Sequence, residues 1–279
     1  LLLVQGMTKG AMTLIDEERA HALYDLMPPA VEISGGSAGN TIAGVASLGG
    51  RAAYIGKVSD DQLGEVFRHD IRAAGVAYDV PPAAGLATGR CLIFVTPDAQ
   101  RTMNTYLGAS STLGPGDVDE ALVASARVTY LEGYLWDPPP AKDAFLKAAR
   151  IAHEAGRKVA LTLSDAFCVD RYRESFLDLV EHHVDVLFAN EAEILSLYQV
   201  SSFDDALQRV RGHCEIAALT RSAKGSVVVG DGEVHVIDAS PVARVVDTTG
   251  AGDLYAAGFL FGLTSGRDLA ACGRIGAIA

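Results

Sequence analysis

Between residues 128 and 220, short apolar segments typical of buried strands alternate with longer segments of helical periodicity. The predicted strands are 128–132, 158–163, 184–188 and 216–220, and the predicted helices are 141–155, 171–180, 191–198 and 203–211. Strands joined by helices in this way run parallel, and the helices cover both faces of the sheet that the strands form. The sequence therefore predicts an α/β protein with a doubly wound, mostly parallel sheet, in which ligands bind beyond the carboxyl ends of the strands.

The flanking segments are less regular. Before the alternating region, the pattern predicts helices at 38–48 and 61–74 and strands at 31–34, 52–58, 91–96 and 102–107, the last two joined by a turn at 97–100. After it, a hairpin of strands 226–229 and 234–237 precedes helices at 253–263 and 268–278. The short strands of the first third favour a small sheet beside the main one.

Charge and cysteine usage exclude several classes of protein. Lys and Arg number 23 against 35 Asp and Glu, and the net charge of −12 argues against general affinity for nucleic acid or an anionic membrane. The 4 cysteines contain no CxxC pair, which disfavours a zinc site or a disulfide framework and fits a reducing cytoplasm. The longest apolar run, 254–263, is too short to span a bilayer. A cytoplasmic protein is the resulting prediction.

A turn of small residues, Gly250-Ala251-Gly252, leads directly into an apolar helix at Asp253. The backbone N–H groups of such a turn converge at the helix N-terminus and form an anion hole. A carboxylate beside that hole can accept a proton from a hydroxyl next to the bound anion. The alternative interpretation is that Asp253 only caps the helix and the glycines only form a tight turn.

A second glycine segment, Gly35-Gly36-Ser37-Ala38-Gly39-Asn40, also precedes a predicted helix. Its glycines allow the backbone to approach a ligand closely, and Asn40 offers both a donor and an acceptor to a diol. Alone, the segment is equally a glycine loop with a local cap. The chain has no Walker A motif, no GxGxxG and no protein-kinase signature, so P-loop and dinucleotide-binding folds lack their fingerprints.

Together the two glycine segments resemble the PfkB, or ribokinase-like, family of small-molecule kinases. Residues 35–50 are similar to the family's N-terminal signature and residues 247–259 to its C-terminal one. Between them, 56–64 resembles the strand and turn after the first helix, 190–193 the NxxE motif, and 220–226 the nucleotide-phosphate segment. The resemblance covers essentially the whole chain. Segments 100–109, 131–135, 161–167 and 184–191 are most similar to the adenosine-kinase branch.

The resemblance implies roles in catalysis for one motif and one strand. Asp253 would be the base that takes the acceptor's proton, and the amides of Gly250, Ala251, Gly252 and Asp253 would surround the transferring phosphoryl group. Such transfer depends mostly on positioning and charge stabilisation, so no covalent intermediate is required. Arg101 would reach the phosphoryl group from a lid; the alternative is a solvated arginine on a strand.

The resemblance also implies ligand-binding residues. Those for the acceptor hydroxyls are Gly35, Gly36, Ser37 and Asn40, and those lining the acceptor pocket are Cys91, Met103 and Tyr134. Those for ATP are Thr220, Arg221, Gly225 and Thr248, and those holding Mg²⁺ through water are Asn190 and Glu193. Cys91, Met103 and Tyr134 are equally plausible as core residues, and Asn190 and Glu193 as a helix N-cap and a solvated carboxylate.

Both ends of the chain depart from the family pattern. The family begins with a strand ending in an Asp that binds two acceptor hydroxyls, and it ends with a strand and helix that close the adenine pocket and a monovalent-cation (K⁺) site. Neither has a match here, so we expect both ends of the chain to be incomplete. The expected organisation is one ribokinase-like domain over 1–279, with lid segments at 1–34 and 86–107.

The sequence thus predicts an ATP- and Mg²⁺-dependent kinase that phosphorylates a primary hydroxyl. Adenosine is the first expectation for the acceptor, and a furanose or keto-sugar such as ribose, fructose or 2-keto-3-deoxygluconate is the alternative. A catalytically silent ligand-binding protein on the same fold is a second alternative, and a Rossmann oxidoreductase a distant third. No nucleic-acid or membrane partner is expected, and the protein would be a monomer or a homodimer.

Overall fold

The computed structural model describes residues 5–9, 12–97, 101–245 and 248–279. Its first part contains β1 (Met12–Leu14), α1 (Glu17–Asp25), α2 (Ser37–Ser47), β2 (Ala52–Ala53), α3 (Gln62–Ala73), β3 (Val76–Ala77), β4 (Arg90–Val95), β5 (Arg101–Tyr106) and α4 (Glu120–Ser125). Its second part contains β6 (Val128–Glu132), α5 (Pro139–Glu154), β7 (Lys158–Thr162), α6 (Ala166–His182), β8 (Val186–Asn190), α7 (Glu191–Tyr198), α8 (Phe203–Val210), β9 (Ile216–Thr220), β10 (Ser226–Gly230), β11 (Glu233–Ile237), α9 (Ala251–Thr264) and α10 (Leu269–Ile278).

The main sheet has the strand order β11-β10-β9-β8-β7-β6. Strands β6 to β9 are parallel, and the hairpin of β10 and β11 adds two antiparallel strands at one edge. Parallel strands covered on both faces read as continuous apolar runs, and the first four residues of β9 are all buried. The predicted doubly wound, mostly parallel α/β sheet is confirmed.

Helices cover both faces of the main sheet. On one face, Leu187 of β8 packs in a cluster with Phe176 of α6 and Leu197 of α7. On the other face, Phe188 packs with Phe259 of α9, their ring centroids 5.4 Å apart and nearly perpendicular. Neighbouring residues of one strand therefore supply the two halves of the core, as strand alternation requires.

A small sheet of order β1-β5-β4 lies beside the main one. Strand β1 runs parallel to β5, and β4 runs antiparallel to it. Helix α1 buries Ala20 and Leu23, and its Glu17 lies 3.4 Å from the Tyr106 hydroxyl. The lid segments predicted at 1–34 and 86–107 contain all three of these strands. Residues 1–4 and 10–11, and residues 98–100 of the predicted turn, lie outside the described residues.

Several predicted boundaries in the irregular regions are wrong. Residues 31–34 form no strand, and the side chains of Val31 and Ile33 are 89% and 86% exposed, because a strand pattern needs a partner strand to pair with. Of the strand predicted at 52–58, only the two residues of β2 form a strand. Helix α6 begins before the predicted 171–180 because Asp165 caps it, accepting the N–H of Cys168 at 2.6 Å. Elements β1, α1, β3 and α4 were not predicted.

Helices α2 and α9 pack unusually closely. A Cβ atom at Gly44 would lie 2.7 Å from the Cβ of Ala257 and 3.1 Å from a methyl group of Leu254. The absence of a side chain at Gly44 therefore brings the starts of the two helices, and the two glycine segments before them, against one another.

We expect Gly44→Ala to lower the free energy of unfolding relative to Gly39→Ala by about 1–3 kcal/mol, because it overpacks the contact with α9. Gly39 is the matched control, since it lies on the same helix and its Cβ would meet Phe67 at an ordinary 3.8 Å. Both variants gain the same helix propensity, so their difference isolates the contact. Denaturant unfolding measures it, and equal stabilities would contradict the close packing.

Candidate active site

The fold brings the two glycine segments together. The Ser37 hydroxyl donates a hydrogen bond to Asp253 Oδ1 at 2.7 Å, and Asn40 Nδ2 donates to Asp253 Oδ2 at 2.9 Å. Ser37 and Asn40 lie in the first turn of α2, and Asp253 lies in the first turn of α9. Three residues that the sequence predicts for the site are therefore in direct contact.

The N-cap of α9 is Gly250, and the cap position is not occupied by Asp253. Gly250 adopts a left-handed conformation with φ of 77°, which glycine accepts without steric cost. No side chain among the described residues caps this helix. The N–H of Ala251 donates to the Thr248 carbonyl at 3.2 Å, so the amides of Gly252 and Asp253 are the ones left for a ligand. The alternative interpretation of Asp253 as an N-cap is wrong, because its carboxylate is bound by α2 instead. Asp247, at the start of the predicted signature, lies outside the described residues.

The small sheet reaches over this loop. Arg101, the first residue of β5, donates a hydrogen bond from Nη1 to the Thr249 hydroxyl at 2.6 Å. Thr249 directly precedes Gly250, so the guanidinium lies at the mouth of the predicted anion hole. This hydrogen bond is exposed to solvent, so a solvated arginine on a strand and a residue of the loop site both describe Arg101.

One face of the small sheet points toward the loop. Alternate residues of a strand share a face, so Met103 lies on the same face as Arg101. Across the antiparallel pair, Val95 is opposite Arg101, Ile93 opposite Met103, and Cys91 opposite Thr105. Cys91, Ile93, Val95 and Met103 therefore form an apolar row beside Arg101, which we call the lid face. Ile93 and Val95 were missed by sequence reasoning, although the alternation of β4 could have identified them.

A buried carboxyl group that sequence reasoning also missed lies beneath Asp253. Glu132 ends β6, and burial raises its pKa to about 7, with the carboxylate of Asp253 acting in the same direction. The hydroxyl of Ser164 donates to Glu132 Oε1 and accepts the backbone N–H of Tyr134. Tyr134 is only partly buried, and desolvation raises the pKa of its hydroxyl. A charged residue at the carboxyl end of a parallel strand was the available signal for Glu132.

Asn190 and Glu193 form a reciprocal capping box at the start of α7. The Asn190 side chain accepts the Glu193 N–H at 2.9 Å, and Glu193 Oε2 accepts the Asn190 N–H at 2.9 Å. The N-cap interpretation of Asn190 is thus present in the structure, but Glu193 is not solvated, since it is only 4% exposed. Burial raises the pKa of Glu193 to about 7.

The predicted ATP segment lies beside this box. Thr220 at the end of β9 pairs with Asn190 at the end of β8. Arg221 lies over the ring of Phe203 and donates to Glu191 at 3.0 Å, so its guanidinium is held by protein groups. Gly225 has φ of 80°, and a Cβ there would lie 2.0 Å from the Ile237 carbonyl, so only glycine fits. Thr248 is exposed, and its carbonyl accepts the N–H of Ala251.

The described residues contain neither a cluster of metal-binding side chains nor a helix that could span a membrane. Within them, no group of three or more His, Cys, Asp or Glu side chains is arranged to hold a metal ion. Across the same ranges, no helix has the length and apolar character needed to cross a membrane.

The fold and this site define a phosphotransferase of the α/β class. The sequence pattern of the pfkB family carbohydrate kinases matches residues 14–279, and the chain belongs to that family. The predicted ribokinase-like fold is thereby confirmed. It combines the main sheet with the small sheet.

Individual relatives agree with this assignment. The chain is similar to the solved adenosine kinase from Sinorhizobium meliloti, at 60% identity and a TM-score of 0.96, over 100% of this chain and 86% of that one. It is similar to a probable sugar kinase protein from Rhizobium etli CFN 42, at 57% identity and a TM-score of 0.96, over 100% and 85%. It is also 29% identical to the adenosine kinase of Saccharomyces cerevisiae, over 87% of this chain and 75% of that protein.

Proposed function

We propose that this kinase transfers the γ-phosphoryl group of ATP to the primary hydroxyl of a nucleoside, with adenosine as the preferred acceptor. The observation that carries the choice of acceptor is the lid face, where Cys91, Ile93, Val95 and Met103 form an apolar row beside Arg101. A purine offers a flat apolar surface to such a row, whereas a sugar needs polar groups there. The similarity to two adenosine kinases supports the same choice.

In this proposal the acceptor hydroxyl lies against Asp253. Hydrogen bonds from Ser37 and Asn40 occupy one acceptor site on each carboxylate oxygen and leave the others for the incoming hydroxyl. The carboxylate takes the hydroxyl proton as the oxygen attacks the γ-phosphorus. The uncapped amides at the start of α9 stabilise the equatorial oxygens of the phosphoryl group, and Arg101 adds a positive charge from above.

The donor set fits Mg²⁺ bound mainly by the substrate. Mg²⁺ prefers oxygen ligands, keeps several waters, and in kinases is held by phosphates together with one or two carboxylates. Asn190 and Glu193 would hold it through water at the end of β8, close to Thr220 and Arg221 of the ATP segment. Bound there, Mg²⁺ would neutralise charge on the phosphates. Dependence on K⁺ and a monomeric or homodimeric state remain parts of the proposal.

A sugar kinase is the second candidate, favoured by the similarity to the probable sugar kinase from Rhizobium etli. A catalytically silent binding protein is disfavoured because Asp253 and Arg101 converge on one loop, an arrangement that binding alone does not require.

A panel of acceptors tests the proposal. We expect adenosine to have the highest kcat/KM among adenosine, inosine, ribose, fructose and 2-keto-3-deoxygluconate, measured by coupled ADP formation. Turnover of ribose or fructose at least about tenfold better than adenosine, a difference of about 1.4 kcal/mol in transition-state binding, would show that the acceptor is a sugar. Binding of adenosine without ADP formation would instead indicate the silent protein.

A further inference from the structure

The carboxyl group of Glu132 is held at one end by a strained residue. Ser164, which donates to Glu132 Oε1, has φ of 71° although it is not glycine. Such a conformation costs free energy and persists where the surroundings impose it, commonly at functional sites. Gly133 permits the approach, since a Cβ there would lie 2.9 Å from the Ser164 hydroxyl oxygen.

The other oxygen of Glu132 is buried and accepts no hydrogen bond from any residue that the structure describes. The Ser37 hydroxyl is near enough to this carboxyl group to lower its pKa, but it makes no hydrogen bond to Oε2. A serine has one O–H donor, and Ser37 donates it to Asp253 Oδ1. An ionised Glu132 would therefore keep a buried Oε2 without a hydrogen bond, because the only O–H of Ser37 is donated to Asp253. A buried acceptor without a donor costs free energy.

A neutral Glu132 removes this conflict. A proton on Oε2 can be donated to a lone pair of Ser37, and both oxygens of Glu132 are then satisfied. Two acidic groups near Glu132, Asp253 on α9 and Glu193 on α7, favour its neutral form. The other titratable groups nearby are the hydroxyls of Tyr54, Tyr130 and Tyr134. Burial and these carboxylates raise the pKa of Glu132 to about 7, while Ser164 and Ser37 act in the opposite direction.

We infer that Glu132 is a positioning residue for Asp253 and acts as a neutral carboxylic acid, donating from Oε2 to Ser37, which in turn donates to Asp253 Oδ1. This chain of hydrogen bonds fixes the rotamer of Asp253 and directs its free lone pairs at the acceptor. The inference rests on the proposed function in so far as it takes Asp253 to receive the acceptor's proton.

Three variants test the chain of hydrogen bonds. Glu132→Ala and Ser37→Ala should each lower kcat by about 10- to 100-fold, the scale of loss from a small misplacement of a reacting group. The double variant should lose little more than either single one, because both changes break the same chain. Ser47→Ala, at the other end of α2, is the control and should retain the wild-type kcat. Melting temperatures establish that each variant is folded.

Glu132→Gln distinguishes positioning from a structural role. Its amide can donate to Ser37 and its carbonyl can accept from Ser164, as the neutral acid does, so most of the kcat lost in Glu132→Ala should return. Wild-type Glu132 becomes ionised as the pH rises through about 7, whereas Gln cannot. The ratio of kcat in Glu132→Gln to kcat in wild type should therefore increase between pH 6 and pH 8.5.

Infrared difference spectroscopy tests the neutral acid without any turnover. At pH 6 the wild type should show a carboxylic-acid carbonyl band that Glu132→Gln lacks, and the band should disappear by pH 8.5. If wild type phosphorylates no acceptor but the band is present, the proposed function fails and the neutral Glu132 stands. Absence of the band, loss of kcat in Glu132→Gln equal to that in Glu132→Ala, or additive losses in the double variant would each overturn the inference.

Discussion

Asp253→Asn should reduce kcat by about 10²- to 10⁴-fold, the usual contribution of a general base, while the melting temperature changes little. An amide keeps the shape of the side chain and can still accept from Ser37, but it cannot take a proton from the acceptor. ATP should still bind, because the uncapped amides at the start of α9 are unchanged. Steady-state kinetics, calorimetric unfolding and titration with ATP measure these three quantities.

The protein contains a matched control for this substitution. Asp268 is also an aspartate at a helix start, but it is a true N-cap that accepts the N–H of Ala271 at 2.7 Å. Asp268→Ala should lower the free energy of unfolding by about 0.5–2 kcal/mol and leave kcat unaffected. The two variants should thus show opposite patterns. An Asp253→Asn enzyme with more than about a tenth of the wild-type kcat, a loss of less than about 1.4 kcal/mol, would contradict the role of Asp253 as base.

Arg101→Ala should lower kcat by about 10²-fold, on the scale of removing one donor that stabilises developing charge. Acceptor KM should change much less, because in the proposed function the guanidinium would act mainly in the transition state, once the lid has closed over the phosphoryl group. Arg101→Lys should recover only part of kcat, since an ammonium lacks the planar fork of donors.

Arg90 on the neighbouring strand is the matched control for Arg101. It lies on the opposite face of the small sheet, where its guanidinium is 5.9 Å from the centre of the Tyr106 ring. Arg90→Ala should keep kcat near the wild-type value, and any loss there would measure general damage to the lid. An Arg101→Ala variant with unchanged kcat would return Arg101 to the role of a surface residue on a strand.

The main sheet was predicted well because its strands are short apolar segments that can be recognised without knowing their partners. Strands β6 and β9 were predicted to the residue. The signal is clearest in β9, whose first four residues are apolar and buried, and the intervening helices are clearly periodic. The prediction failed at 31–34, where a β-branched pattern has no partner strand. It also missed β1, which has only three residues and takes its register from Met103 of β5.

The site was predictable where residue type and glycine spacing carry the chemistry. Asp253, Ser37 and Asn40 were expected in one site, and the structure places them in contact. Glu132 was missed because its importance comes from neighbours distant in sequence, namely Ser37, Ser164 and Asp253. The sequence also could not predict which residues share the lid face, because that depends on the register between β4 and β5.

Product analysis with γ-labelled ATP tests the central claim most directly. Wild type incubated with Mg²⁺, labelled ATP and adenosine should place the label on the primary hydroxyl of the nucleoside, with one ADP formed for each phosphorylated acceptor. Asp253→Asn under the same conditions should bind both substrates and transfer almost no label. Release of the label only as inorganic phosphate, or no transfer to any nucleoside or sugar when both sites are saturated, would contradict the assignment of this site as a phosphoryl-transfer centre.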